Sequence, residues 1–228
     1  MTLYERFVAA FITGERWKLY ISGLGITIEI ALFAGILGII IGTIVAMMKL
    51  TTDDDGRPTV LSVIATIYVD IIRGTPSVLQ LLIMWFIVMA SSNNGILVAS
   101  LSFGINSGAY VSEIVRGGIL AVDKGQMEAG RSLGLSKAAT MRYIILPQAI
   151  KNVIPPLGNE FITLIKETAI VGYVGLVDIQ KAGDFIKSAT YEAFMPLIAT
   201  AIIYFVLIKL LTIALGMVEK RLRKSDSR

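Results

Sequence analysis

Long apolar stretches separated by short polar ones run the length of this chain, and their spacing predicts helices that cross a membrane. The first, 21–48, is interrupted by charge only at Glu29. It exceeds the roughly 20 residues needed to cross, so a tilted span is expected, with Gly35, Gly38 and Gly42 allowing a neighbouring helix to approach closely. The Asp, Gly and Pro content of TTDDDGRP, 51–58, marks a loop, and Pro58 suits the first turn of the next helix. A second apolar stretch covers 59–90, but Asp70, Arg73, Gly74 and Pro76 fall in its middle. At about 1.5 Å per residue a straight helix of that length overshoots a ~30 Å hydrocarbon core, which predicts one span broken at Gly74, Thr75 and Pro76. Such a break is tolerated only where protein or a water-filled cavity receives the freed backbone groups.

The exit loop at 91–95 leads into a third span, 97–122, which is unusually polar. Asn106, Tyr110, Glu113 and Gly117 recur at helical spacing and share one face, a face unsuited to lipid. A cytoplasmic loop, 123–150, follows. Within it 126–133 reads as a short amphipathic helix with Met127, Gly130 and Leu133 on one side; Gly134 turns the chain, and Ser136 caps a second short helix that Pro147 ends. The fourth span, 151–172, carries Asn159, Glu160, Lys166 and Glu167. An amphipathic surface helix is expected over 178–192, then a last apolar span at 194–217 with Lys209 close enough to its end to snorkel. Residues 1–20 mix aromatic and charged side chains as an interfacial lead-in does, without the apolar core and cleavage site of a signal peptide.

The fold class expected is therefore all-α: a polytopic membrane protein of five transmembrane helices with a cytoplasmic two-helix loop, in one domain without internal repeats. Composition agrees, since 55% of the 228 residues are hydrophobic and mean hydropathy is +0.74. Lys124, Arg131, Lys137, Arg142 and Lys151 fall on the same side as Lys220, Arg221, Arg223 and Lys224, whereas 91–95 is uncharged. Positive residues stay inside, which places the C-terminus in the cytoplasm and the N-terminus outside a cell membrane. The absence of Cys and His excludes thiol nucleophiles, haem and the common metal sites. No GxxxxGK[ST] stretch occurs, so an ATP-driven role requires a separate subunit that holds ATP and Mg. The charge of +4 gives no reason to invoke nucleic acid.

Ionisable groups inside a membrane usually face a cavity or a partner, which singles out Arg73, Glu113, Glu160, Lys166 and Glu167. Local pairing competes with that reading, because Asp70 with Arg73 and Glu113 with Arg116 are i, i+3 neighbours. At Arg73 the adjoining Gly74-Thr75-Pro76 frees backbone donors beside a fixed cation, a suitable seat for a carboxylate. Glu113 or Glu160 would then receive an ammonium group. A zwitterion uses both signs.

The loop spacing Glu128-Ala129-Gly130, three residues, Gly134, nine residues, Ile144, then Leu146-Pro147 resembles the EAA loop of ABC-importer permeases. RGTP at 73–76, NSGAYVSEIVRGGI at 106–119, ILPQA at 145–149 and PPLGNEFITLIK at 155–166 resemble, more narrowly, the polar amino-acid branch of that family. The resemblance covers roughly 20–220. It implies a transport subunit rather than an enzyme, importing an amino acid delivered by an extracytoplasmic binding protein and powered by two cytoplasmic ATPase subunits. The RGTP segment with Asn106, Tyr110, Glu113 and Glu160 would lie near the substrate. Glu128, Ala129, Gly130, Gly134, Leu146 and Pro147 would meet the ATPase. This chain departs from the family pattern at Gly130 (usually Ala), at Asp123 (often Pro) and in KETAIVG at 166–172. Five helices are too few to enclose a path, so a second permease copy or paralogue is implied.

Competing readings are an ion-coupled secondary transporter, whose pointers are inverted repeats and two matched broken helices, and an intramembrane hydrolase, which without His would need Ser107 or Ser112 with Lys166. For the loop, the plain alternative is an amphipathic helix lying on anionic lipid.

Overall fold

The computed structural model describes residues 2–51 and 57–224, so most of the loop expected at 51–58 and the last four residues lie outside the described residues. Among the described residues the regular structure is helical throughout. α1 (Leu3–Phe7) opens with a capping box between Thr2 and Glu5. α2 (Trp17–Lys49) is followed by α3 (Val60–Arg73) and α4 (Ser77–Ile83), the last continued by a π-helical turn, Met84–Val88. Then come α5 (Gly95–Leu120), α6 (Lys124–Ser132), α7 (Lys137–Thr140), a π-helical turn Met141–Ile145, and α8 (Leu146–Glu167). A 3-10 turn, Thr168–Val174, leads to α9 (Ile179–Thr190) and α10 (Phe194–Lys224).

Three of these helices are long and apolar enough to cross a membrane, Trp17–Lys49, Gly95–Leu120 and Phe194–Leu222; α3 and α4 with its π turn make a fourth if taken together as one broken crossing. The break falls where Gly74 caps α3 and Pro76 starts α4 in extended backbone, ψ 136°. Proline lacks the amide that would continue the α3 ladder and biases the residue before it away from helix. α8 is 22 residues long but falls outside that apolar group, because Asn159, Glu160, Lys166 and Glu167 interrupt it.

The expectation for Pro147 is corrected. Pro147 does not end the second loop helix: helical backbone runs from Lys137 through Pro147 to Glu167. The ladder widens just before the proline, with the Leu146 amide donating to the Met141 carbonyl five residues back. That slack accommodates the pyrrolidine ring, which would otherwise clash with the carbonyl four residues earlier. Pro155 and Pro156 lie within α8 too.

The chain divides into two compact units. The first comprises the residues up to Ile36 together with Pro76–Gly104 and Ile162–Ile213. It packs Ile30, Leu81, Phe103, Leu164 and Val171 into one core and Tyr20, Ile179, Ala182 and Ile186 into another. Gly23 is required there, since a Cβ would lie 2.7 Å from the Asp178 carbonyl. Asp178 is fully buried and caps α9, accepting from the Gln180 and Lys181 amides at 3.0 Å and from the Tyr204 hydroxyl at 3.2 Å. The amphipathic surface helix expected over 178–192 is thus α9.

The second unit comprises Leu37–Thr75, Ile105–Phe161 and the residues from Ala214 on. Val45, Ala65, Val69 and Ala109 form one of its cores; Val122, Ile145 and Ala149 form the other. The close approach expected at Gly38 and Gly42 is present: a Cβ on Gly38 would lie 2.9 Å from the Ser107 side chain, and one on Gly42 would lie 2.5 Å from Val111.

Candidate functional site

Within the second unit α3 and α5 bring Arg73 and Tyr110 together, with the guanidinium 5.1 Å from the ring centre. The local pair of Asp70 with Arg73 is not formed among the described residues; the arginine turns to the aromatic face instead. Such a contact holds a guanidinium in place while leaving its in-plane N–H donors available. Arg73, Gly74, Thr75 and Pro76 are all exposed. The Gly74 amide donates to the Asp70 carbonyl at 2.9 Å and the Thr75 hydroxyl to the Ile71 carbonyl at 2.9 Å, which ties the end of α3 firmly.

On α5, Asn106 and Ser107 are buried. The Ser107 hydroxyl donates to Glu160 Oε1 on α8 at 2.9 Å. Gly38 makes this possible, because a side chain there would occupy the space of Ser107. Arg73 and Glu160 belong to the same compact unit. The unit therefore holds a cation and a half-buried carboxylate of opposite sign, one beside Tyr110 and the other beside Ser107.

Glu113 has different surroundings. Lys49 Nζ donates to its Oε1 at 2.6 Å, and Arg116 donates to its Oε2 at 2.7 Å from Nη2 and 3.2 Å from Nε. Both oxygens are held by cations, so the local pairing offered by the i, i+3 spacing is realised and extended by Lys49. Sequence spacing could not find Lys49, which is 64 residues away. It also missed Tyr68, whose hydroxyl donates to the Ile105 carbonyl at 2.5 Å. The available signal was a tyrosine that is the one aromatic side chain of α3.

The loop is built as two elements joined by a turn. Asp123 caps α6 by accepting from the Gly125 amide at 2.7 Å, and Ser136 caps α7 by accepting from the Ala139 amide at 3.2 Å. Gly134 between them takes φ +84°, the left-handed conformation that favours glycine. Gly130 is buried against Thr140, whose Cγ2 would lie 2.5 Å from an added Cβ. Met127 joins the core of Ile145 and Ala149, but Leu133 does not share its face: α6 stops at Ser132, and Leu133 projects 81% exposed. Glu128, Ala129, Leu146 and Pro147 are exposed as well. The result is two short helical elements joined at a turn, with Leu133 exposed among Arg131, Ser132, Ser136 and Lys137. No group of three or more metal-ligating side chains is present among the described residues.

Residues 38–224 match the family described as "Binding-protein-dependent transport system inner membrane component". An arginine transport system permease protein, ArtQ of Bacillus subtilis, is 40% identical over 209 residues, 90% of this chain and 93% of that protein. A glutamine transport system permease protein, GlnP of Escherichia coli, is 32% identical over 220 residues, 95% of this chain and 94% of that protein. Among solved structures, an amino acid ABC transporter crystallised with histidines superposes with a TM-score of 0.83 at 41% identity, covering 92% of this chain and 98% of that one. A methionine ABC transporter, MetNI, at TM-score 0.78 and 21% identity, shares the fold.

Proposed function

Since the chain belongs to the binding-protein-dependent transport system inner membrane component family, we propose that it imports polar amino acids as the membrane-spanning permease subunit of an ATP-driven ABC transporter. Relatives with arginine and glutamine permease descriptions support the cargo class. They give no support to the ion-coupled alternative.

The observation that carries the binding reading is Arg73 held over Tyr110 in the same unit as Glu160, which Ser107 seats on α8. The substrate carboxylate docks on the guanidinium and the ammonium group on Glu160, with Asn106 and Ser107 lining the polar side. Gly74, Thr75 and Pro76 keep the arginine at a helix end, where a ligand can approach it. Glu160 takes the ammonium role in preference to Glu113, whose oxygens Lys49 and Arg116 already hold.

The projection of α6 and α7 lies in the cytoplasm in this reading and is gripped by one of a pair of ATPase subunits, which bind ATP and Mg. Glu128, Ala129, Gly130 and Gly134 shape the gripped surface, while Leu146 and Pro147 start the helix that transmits its movement. A second permease copy or paralogue completes the path, and an extracytoplasmic binding protein delivers the amino acid. Closure of the ATPase pair tips α8, and alternating access follows because the substrate binds the two states with different affinity.

Purification of the assembled complex followed by uptake in proteoliposomes tests both halves. Gly134→Asp is expected to lose the ATPase subunit while the permease helices stay folded; full recovery of the ATPase would refute the grip. Arg73→Ala is expected to assemble normally and to take up no amino acid.

A further inference from the structure

A cavity lies within the first unit. The 3-10 turn Thr168–Val174 and one side of α9 enclose 330 Å³, lined by Ala169, Ile170, Gly172, Tyr173, Gln180, Lys181 and Asp184. That volume falls at the lower end of the roughly 300–1,000 Å³ typical of small-ligand sites. From this lining we infer a second amino-acid site, one that receives the zwitterionic head of the cargo separately from the Arg73 site.

The charges carry the argument. Lys181 and Asp184 are i, i+3 on α9, so their side chains rise about 5–6 Å apart on the same wall. Yet they do not neutralise each other. The Lys181 ammonium lies 5.5 Å from the centre of the Phe185 ring, and Asp184 accepts from Lys187 at 2.7 Å through Oδ1. A cation and a carboxylate are thus held one helical turn apart by partners other than one another, and both border the cavity. A free amino acid carries the complementary pair on a single carbon: its carboxylate accepts from Lys181 Nζ and its ammonium donates to Asp184 Oδ2.

The rest of the lining suits a polar side chain of moderate length. Ile170 and the 70% exposed Tyr173 offer apolar flank, and the Gln180 amide offers both a donor and an acceptor. A Cβ on Gly172 would lie 3.1 Å from Lys181 Cδ, so glycine leaves the lysine stem room to pack close to the turn. α9 joins the fourth and fifth crossings, and in the orientation proposed above it faces outward.

The inference rests on the proposed cargo class, so the test counts molecules bound rather than transport. Equilibrium dialysis of the assembled complex against radiolabelled L-arginine, and separately L-glutamine, is expected to give two bound molecules per permease chain for at least one of them. Lys181→Gln and Asp184→Asn should each reduce two to one, Lys181→Arg should keep two, and Arg73→Ala should remove the other molecule. If Arg73→Ala removes nothing while Lys181→Gln still does, the Arg73 site is refuted and this one stands. Unchanged binding in Lys181→Gln overturns the inference, as does equal loss in Lys181→Arg. A defect confined to capture of the binding protein, with amino-acid binding intact, also overturns it.

Discussion

The guanidinium of Arg73 sits 5.1 Å from the centre of the Tyr110 ring, at the point where α3 ends. A contact of this kind contributes about 0.5–2 kcal/mol, depending on how far it is desolvated. Tyr110→Ala is therefore expected to weaken amino-acid binding by roughly 2- to 30-fold, and Tyr110→Phe to weaken it much less, because the ring rather than the hydroxyl faces the cation. Titration of the assembled complex reads this; equal losses in the two variants would mean that the hydroxyl matters instead.

Lys49, Glu113 and Arg116 form a three-membered charge network joining α2 to α5, with side chains 15%, 21% and 35% exposed. Removing one member of a poorly solvated network leaves the others uncompensated. Glu113→Gln is expected to lower the thermal unfolding temperature of the purified chain, with a smaller drop for Lys49→Met, since Arg116 still neutralises the carboxylate there. Loss of amino-acid binding at unchanged thermal stability would instead give Glu113 a direct role in holding cargo.

Gly130 stands where the resembling family usually has alanine, and the reason lies across the turn. An added Cβ meets the Thr140 methyl. Gly130→Ala is expected to loosen α6 from α7 despite alanine's advantage of about 1 kcal/mol within a helix. Gly130→Ala combined with Thr140→Ala should recover much of the loss. Thermal unfolding of the three variants decides, and a more stable Gly130→Ala single variant would contradict the prediction.

Asp178 yields a pH dependence. Burial raises its carboxyl above the ordinary carboxylate range, while the amides of Gln180 and Lys181 and the Tyr204 hydroxyl pull it back down without cancelling the rise. An acid whose folded value is raised binds its proton more tightly when folded. Its contribution is then most favourable below the unfolded value of about 3.9 and is lost as pH climbs through the folded value. Asp178→Asn keeps an N-cap acceptor but cannot ionise, so the decline in stability above pH ~4 should flatten. Asp178→Ala removes the cap as well and should cost about 1 kcal/mol at all pH values. A stability profile unchanged in Asp178→Asn would show that the carboxyl is ionised at no cost.

Much of this was legible in the sequence because hydrophobic runs and glycine-proline punctuation are local signals. The break at Gly74 to Pro76, the cap at Ser136, and the surface helix α9 all follow from a few consecutive residues. The continuation through Pro147 did not, since a proline reads as a stop unless the preceding turn is known to widen. Nor did the tie of Glu113 to Lys49, or the seating of Ser107 against Gly38, because each joins positions that only folding brings together. The three long apolar helices were plain; α8 carries too many polar residues for apolarity alone to mark it as a crossing.

The widened turn Met141–Ile145 amounts to one surplus residue wound into a continuous helical rod. Tightening that turn to ordinary α winding with no residue removed would swing everything after it by close to one residue's step of about 100°. Glu160 would then leave Ser107, although no amino acid near either had been altered. Angular phase along this rod is thus inherited from five residues more than a dozen positions upstream of the carboxylate it aims.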